Sequence, residues 1–178
     1  MEKHLILLFL LITTWSFSQD DPESQIFRKV VDFEISKGNS GIYIQCEKPA
    51  ISFDRKDFKD QTALDVPDSI LQEIEGSDMK SSGGTWDADL LSRLKYSSDF
   101  IKEKACLTQK DVELLFRKTK NRQNIISISA PVFDNNSKNC VVSVTYTKFT
   151  GSSYGHKYFL KKVYGTWTVI VEFYQWMT

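Results

Sequence analysis

The chain has 178 residues, and its 23 Lys+Arg balance 23 Asp+Glu, so the formal net charge is zero. That excludes a chain basic or acidic throughout, and a length of this order builds its own apolar core without a disulfide scaffold. The charge is uneven along the chain, however. Residues 19–100 carry a net −7 and residues 101–178 a net +7. This reads as two halves whose fields offset one another or, more sharply, as a basic face for an anionic partner.

The N-terminus opens Met1-Glu2-Lys3-His4 and then runs from Leu5 to Ile12 without a polar residue. As a helix that run spans about 12 Å, well short of a bilayer core of about 30 Å. With Ser16 and Ser18 at the −3 and −1 positions, the pattern predicts a signal peptide over 1–18 and a new N-terminus at Gln19. Residues 19–178 then form one α+β domain, exported to the periplasm or beyond the cell. No Cys closes the apolar run, which argues against a lipoprotein, and no later segment is apolar enough to predict a membrane span.

Asp20-Asp21-Pro22 is a helix start. Ile26, Phe27, Val30, Val31, Phe33 and Glu34 follow with near-helical spacing until Gly38-Asn39-Ser40-Gly41. Ile42, Ile44 and Cys46 alternate with Tyr43, Gln45 and Glu47 at strand period, and Pro49 ends the run. Residues 50–64 are charge-rich and read as irregular. Pro67-Asp68-Ser69 opens a short helix through Glu75, burying Ile70, Leu71 and Ile74, and Ser81-Ser82-Gly83-Gly84 is a loop. A helix is expected over 86–96 with Leu90, Leu91 and Leu94 on one face. Another begins at Thr108, a capping box with Asp111 in the place of Glu.

The C-terminal third has the clearest pattern. Strands are predicted near 125–130, 139–148, 156–164 and 167–175. Cys140, Val142, Val144 and Tyr146 form an apolar face on the second, opposite Ser143, Thr145 and Thr147. Gly151-Ser152-Ser153-Tyr154-Gly155 reads as a loop. Gly165-Thr166 reads as a Gly-X pair of the kind used in type II′ hairpins, and Trp167, Val169, Val171 and Phe173 line one side of the last strand. The expected fold is therefore α+β: N-terminal helices packed on a C-terminal antiparallel meander of four or more strands.

Ala130-Pro131-Val132-Phe133, the strand at 140–147, and then Gly151, Gly155, the run Tyr158-Phe159-Leu160-Lys161-Lys162, Gly165, Trp167 and Trp176 resemble a C-terminal pattern of uncharacterised bacterial exported proteins. The resemblance covers about 50 residues of turn glycines and core aromatics and implies no activity. In that pattern cysteines flank the glycine loop; here Phe149, Thr150 and Tyr154 stand in that region. Helices followed by a curved sheet ending in a Gly-x-Trp hairpin are also similar to the NTF2-like cone, as a fold analogy.

Chemistry-bearing residues are sparse. His156 is the one histidine after residue 18, and Cys46, Cys106 and Cys140 lack C-x-x-C spacing, so no metal site and no cofactor are expected. Export favours a Cys46–Cys106 disulfide, with Cys140 buried and free on its strand. His156, following the glycine loop, is the candidate site, with Tyr154, Lys157 and Tyr158 beside it at the rim of a concave surface as ligand-binding residues. Asp57/Asp60, Glu73/Glu75 and Asp87/Asp89 are the acid–base alternatives. Clustered aromatics, with Tyr146, Tyr154, Trp167 and Trp176 among them, suit a pocket for a sugar, lipid or ring compound.

The absence of a nucleophile motif points to a non-enzymatic binding or interaction domain. Its partner would be a small molecule or an envelope or extracellular protein, not nucleic acid. The alternative is a small envelope hydrolase or isomerase built on a carboxylate, Tyr or His pocket. A pocket holding a carboxyl of raised pKa would favour the enzyme.

Overall fold

The structure is a computed structural model that describes residues 21–78, 83–93, 101, 106–149 and 151–178. The expected signal peptide over 1–18 lies outside the described residues. So do the end of the helix expected over 86–96 and half of the Ser81–Gly84 loop. Among the described residues no helix is long and apolar enough to cross a membrane.

Helix α1 (Pro22–Ser36) starts where Asp21 caps it, accepting from the Ser24 amide at 2.9 Å, with Pro22 in the first turn. Gly38 leaves the helix at φ +83° and turns the chain toward β1 (Ile42–Ile44). A two-stranded ribbon of β2 (Glu47–Lys48) and β3 (Gly84–Thr85) encloses α2 (Arg55–Gln61) and α3 (Asp68–Asp78) in sequence. Helices α4 (Ala88–Ser92) and α5 (Gln109–Thr119) follow, and α5 carries the Thr108–Asp111 capping box. Then come β4 (Asn124–Ile128), β5 (Val132–Phe133), β6 (Asn139–Lys148), β7 (Ser153–Val163) and β8 (Thr166–Met177).

The fold is mixed helix and sheet with the helices toward the N-terminus, but the sheet is not purely antiparallel. Its order is β1-β4-β6-β7-β8, with β5 on β6. The pairs from β4 to β8 are antiparallel, whereas β1 runs parallel to β4, Ile42 to Ile44 facing Asn124 to Ile126. Parallel partners need a long crossover. Here it contains the four later helices of the described residues, so local pattern alone could not reveal the pairing.

Period two sends β6 and β7 into two cores. Cys140, Val142, Val144, Tyr146, Tyr158 and Leu160 meet α1 and α4 on one face, through Ile26, Phe27, Val30, Val31, Leu90 and Leu91. Val141 and Phe159 meet α2 and α3 on the other, around Phe58, Leu71 and Ile74. Phe58 is fully buried, and burying such a side chain contributes about 1.5–3 kcal/mol. It justifies α2, a helix within a stretch whose sequence reads as irregular.

Strand β8 departs from its expected pattern. Trp167 and Val169 pack on the α1 face, but Val171 and Phe173 pack on the α2–α3 face. The cause is a bulge: Phe159 pairs Val171 while Leu160 pairs Val169, leaving Ile170 extra. The hairpin before it also differs. Tyr164 and Gly165 both have positive φ, +48° and +82°, which makes a type I′ turn over those two residues.

Gly155 is strand, not loop. A Cβ there would come within 2.7 Å of the Val144 carbonyl oxygen and 2.8 Å of the Trp176 ring, so the indole lies directly over the glycine. Gly155→Ala is expected to cost about 1–3 kcal/mol, by overpacking against backbone. The check is a fall in the urea midpoint at unchanged m-value; an unshifted midpoint would mean the indole moves aside freely.

Candidate functional site

The stripe of α1 that buries Phe27, Val30 and Val31 continues, one turn on, with Glu34. Its side chain is 0% exposed. A bare carboxylate there would be prohibitive, so its partners explain its presence. Oε1 accepts from the Tyr158 hydroxyl and from His156 Nε2 at 2.9 Å. Oε2 accepts from the Tyr146 hydroxyl at 2.6 Å and from Asn39 Nδ2 at 2.9 Å. Four donors fill the acceptor sites of an ionised carboxylate, which can only accept, so His156 Nε2 carries a hydrogen and donates it.

Each partner has a structural address. Tyr146 extends the apolar face of β6, while His156 and Tyr158 share one face of β7. Asn39 returns from the turn that ends α1, and its Nδ2 also donates to the Tyr146 oxygen at 3.1 Å. Lys37, at the C-terminal end of α1 where a cation suits the helix dipole, donates to the Tyr158 oxygen at 2.6 Å. Its ammonium lies 3.7 Å from Glu34 and is tightly paired with Glu172. Glu172 reaches this face because of the Ile170 bulge; strict alternation from Trp167 would turn it away. Its Oε1 lies 3.8 Å from His156 Nδ1.

These contacts set the protonation states. Burial raises the Glu34 pKa, but hydrogen bonds from His156, Tyr146 and Tyr158 outweigh it and hold the carboxyl at about 2. Burial, then the hydrogen bond to Glu34 and its charge, push both phenols far above their ordinary value. Glu172 is also held low: burial opposes ionisation, and Lys37 and His156 more than compensate. At neutral pH the cluster is an ionised carboxylate clasped by protonated tyrosines.

The cluster backs a cavity. Tyr146 stacks on Tyr154 with ring centroids 4.9 Å apart and planes 12° apart. Together they wall a cavity of about 290 Å³, completed by Asn39, Ser40, Ile42, Asn124, Thr147, Lys148 and Ser152. A neighbouring cavity of about 410 Å³ shares Thr147 and Lys148 and is lined further by Gln45, Gln109, Val112 and Phe149.

The four residues expected to act together are therefore divided. Tyr154 is at the cavity, 42% exposed. His156 is not on a loop or a rim: β7 begins at Ser153, and the imidazole is buried against Glu34. Tyr158 is buried beside it. Lys157 points to the opposite face, where its ammonium donates to the Ser52 carbonyl at 2.6 Å and lies 3.9 Å from the Tyr174 ring centre.

Several of the paired carboxylates have structural partners. Asp87 caps α4, accepting from the Asp89 amide; Glu75 pairs with Arg55 at 3.2 Å, and Glu73 accepts from the Asn135 amide at 3.1 Å. Cys46 and Cys106 form a disulfide, and Cys140 is free and buried. The carboxylate that matters, Glu34, was visible in the sequence as an acidic residue on a buried helical stripe.

No protein-family model, curated protein or solved structure matches the chain.

Proposed function

We propose that this chain is a binding domain that works outside the cytoplasm and seats a small hydroxylated ring, of the sugar class, against Tyr154 in the cavity of about 290 Å³. The observation that carries this reading is the stacked Tyr146–Tyr154 wall, clamped from behind by Glu34 and rimmed by hydroxyl and amide side chains. An aromatic face covers the apolar side of a sugar, and neutral donors and acceptors match its hydroxyls. The Cys46–Cys106 disulfide and the N-terminal apolar run support a place in an oxidising compartment.

Binding is favoured over the enzyme alternative by the electrostatics. A hydrolase or isomerase needs a proton donor or acceptor poised near neutral pH. Glu34 is strongly ionised with its acceptor sites taken, and the two buried phenols are held protonated.

The test is a titration of the protein with a panel of monosaccharides, followed by amide chemical shifts. At least one sugar should shift resonances of residues 39–42 and 146–154 saturably. Tyr154→Ala should weaken that binding by about tenfold, corresponding to about 1.4 kcal/mol. A panel with no saturable shift at those positions contradicts the reading.

A further inference from the structure

Resting on that pocket reading, we infer that the ligand is an acidic polysaccharide, its anionic groups held along a cationic strip of Arg117, Lys118, Lys120, Arg122 and Lys148. The strip is spatial as well as sequential. Phe116 at the end of α5 packs on Phe149 with ring centroids 5.2 Å apart. The space over Gly151 is taken by an Arg122 guanidinium nitrogen and the Lys148 carbonyl oxygen, 3.2 and 3.1 Å from where a Cβ would stand. The end of α5, the segment leading into β4 and the turn after β6 thus meet at one place, and all five cations are exposed there.

None of the five is ion-paired to a described carboxylate. Arg117 and Lys118 lie in the last turn of α5, where the helix dipole favours cations. That does not account for Lys120, Arg122 or Lys148, which lie beyond the helix. The strip accounts locally for the positive charge of the C-terminal half, which the buried cluster at Glu34 does not use.

Lys148 decides the chemical class. It lines both cavities, so the positive strip and the hydroxyl-matched pocket share a residue. The two cavities adjoin at Thr147 and Lys148, which suits a ligand of at least two linked units. A nucleic acid would use the cations but asks for open aromatic platforms on which bases stack. Here a single partly exposed ring, Tyr154, lines the recess, one platform and not a row of them. A chain of sugar rings bearing carboxylates or sulfates satisfies both features.

The experiment is calorimetry of the full chain with three probes: trigalacturonate, its methyl ester, and a single-stranded oligonucleotide of about six thymidines. The acid should bind at least about tenfold more tightly than the ester near 50 mM NaCl, with the advantage shrinking by about 300 mM NaCl. Arg117→Ala/Lys118→Ala/Arg122→Ala should abolish that advantage and leave the Tyr154-dependent binding of the ester intact. Equal binding of acid and ester overturns the acidic ligand and leaves the sugar pocket standing. Oligonucleotide binding as tight as that of the acid overturns it too. Failure of both saccharides overturns the acidic polysaccharide, and the monosaccharide panel then decides whether the pocket reading falls with it.

Discussion

Glu34→Leu should cost about 3–5 kcal/mol of folding stability, as expected when one partner is removed from a buried charge network. The loss is that of the other side chains. With the carboxylate gone, the buried Tyr146, Tyr158 and His156 lose their common acceptor, and the half-buried Asn39 loses one of its own. Lys37 keeps only Glu172 as a counter-charge. The carboxylate also makes stability depend on pH in a definite direction. Its folded-state pKa, about 2, lies below the ordinary value of 4.5. The unfolded chain therefore binds more protons between those values, and stability falls as pH falls through that window. The loss amounts to about 3 kcal/mol, and none of this contribution is lost above about pH 5. Urea melts of wild type and variant at stepped pH check both statements. A midpoint cost under about 1 kcal/mol, or an acid slope unchanged in the variant, would mean that Glu34 does not hold the cluster together.

Parts of this arrangement were legible in the sequence, and the reasons for the rest are physical. Periodicity located α1 and the strands β4, β6, β7 and β8, because apolar residues recur in each at a regular interval, whereas the two-residue β5 is too short to carry a period. It placed Glu34 on the buried stripe of α1 and Tyr146 on the apolar face of β6. It could not show that they meet, since 112 positions separate them. The Ile170 bulge defeats alternation. Four apolar residues at even spacing look like one face, yet the extra residue divides them and delivers Glu172 to the site. His156 was misplaced because glycine and serine around it read as loop. Gly155 is instead a strand residue kept bare for Trp176. Helix α2 escaped notice because it buries little beyond Phe58, and one apolar residue carries no period. The parallel β1–β4 pairing and the cavities arise only when distant segments close on one another.

Reduction of the Cys46–Cys106 disulfide, or the Cys46→Ala/Cys106→Ala pair, should cost about 4 kcal/mol, the loop-closure value for a separation of 60 residues. The bridge sits where backbone bonds are already concentrated. The Cys46 amide donates to the Leu107 carbonyl at 2.9 Å, Leu107 donates to Ile44 at 2.8 Å, and Trp86 donates to the Cys46 carbonyl at 2.9 Å. The cross-link therefore ties the end of β1 to the entry of α5 and closes the long segment that carries α2, α3 and α4. Without it the folded contacts persist, but the unfolded chain regains the freedom of that loop. The stability change should thus come with little change in the native spectrum at low denaturant. Cys140 supplies an internal control. Its thiol is fully buried, and desolvation pushes its pKa well up, so a thiol reagent should reach it only on unfolding. Labelling of the reduced protein should then leave Cys140 unmodified in the native state and reach all three thiols in urea. A loss below about 1 kcal/mol on reduction would show that the β1–α5 junction stands on its hydrogen bonds alone. A full loss of native structure would show that the loop segment folds only when closed.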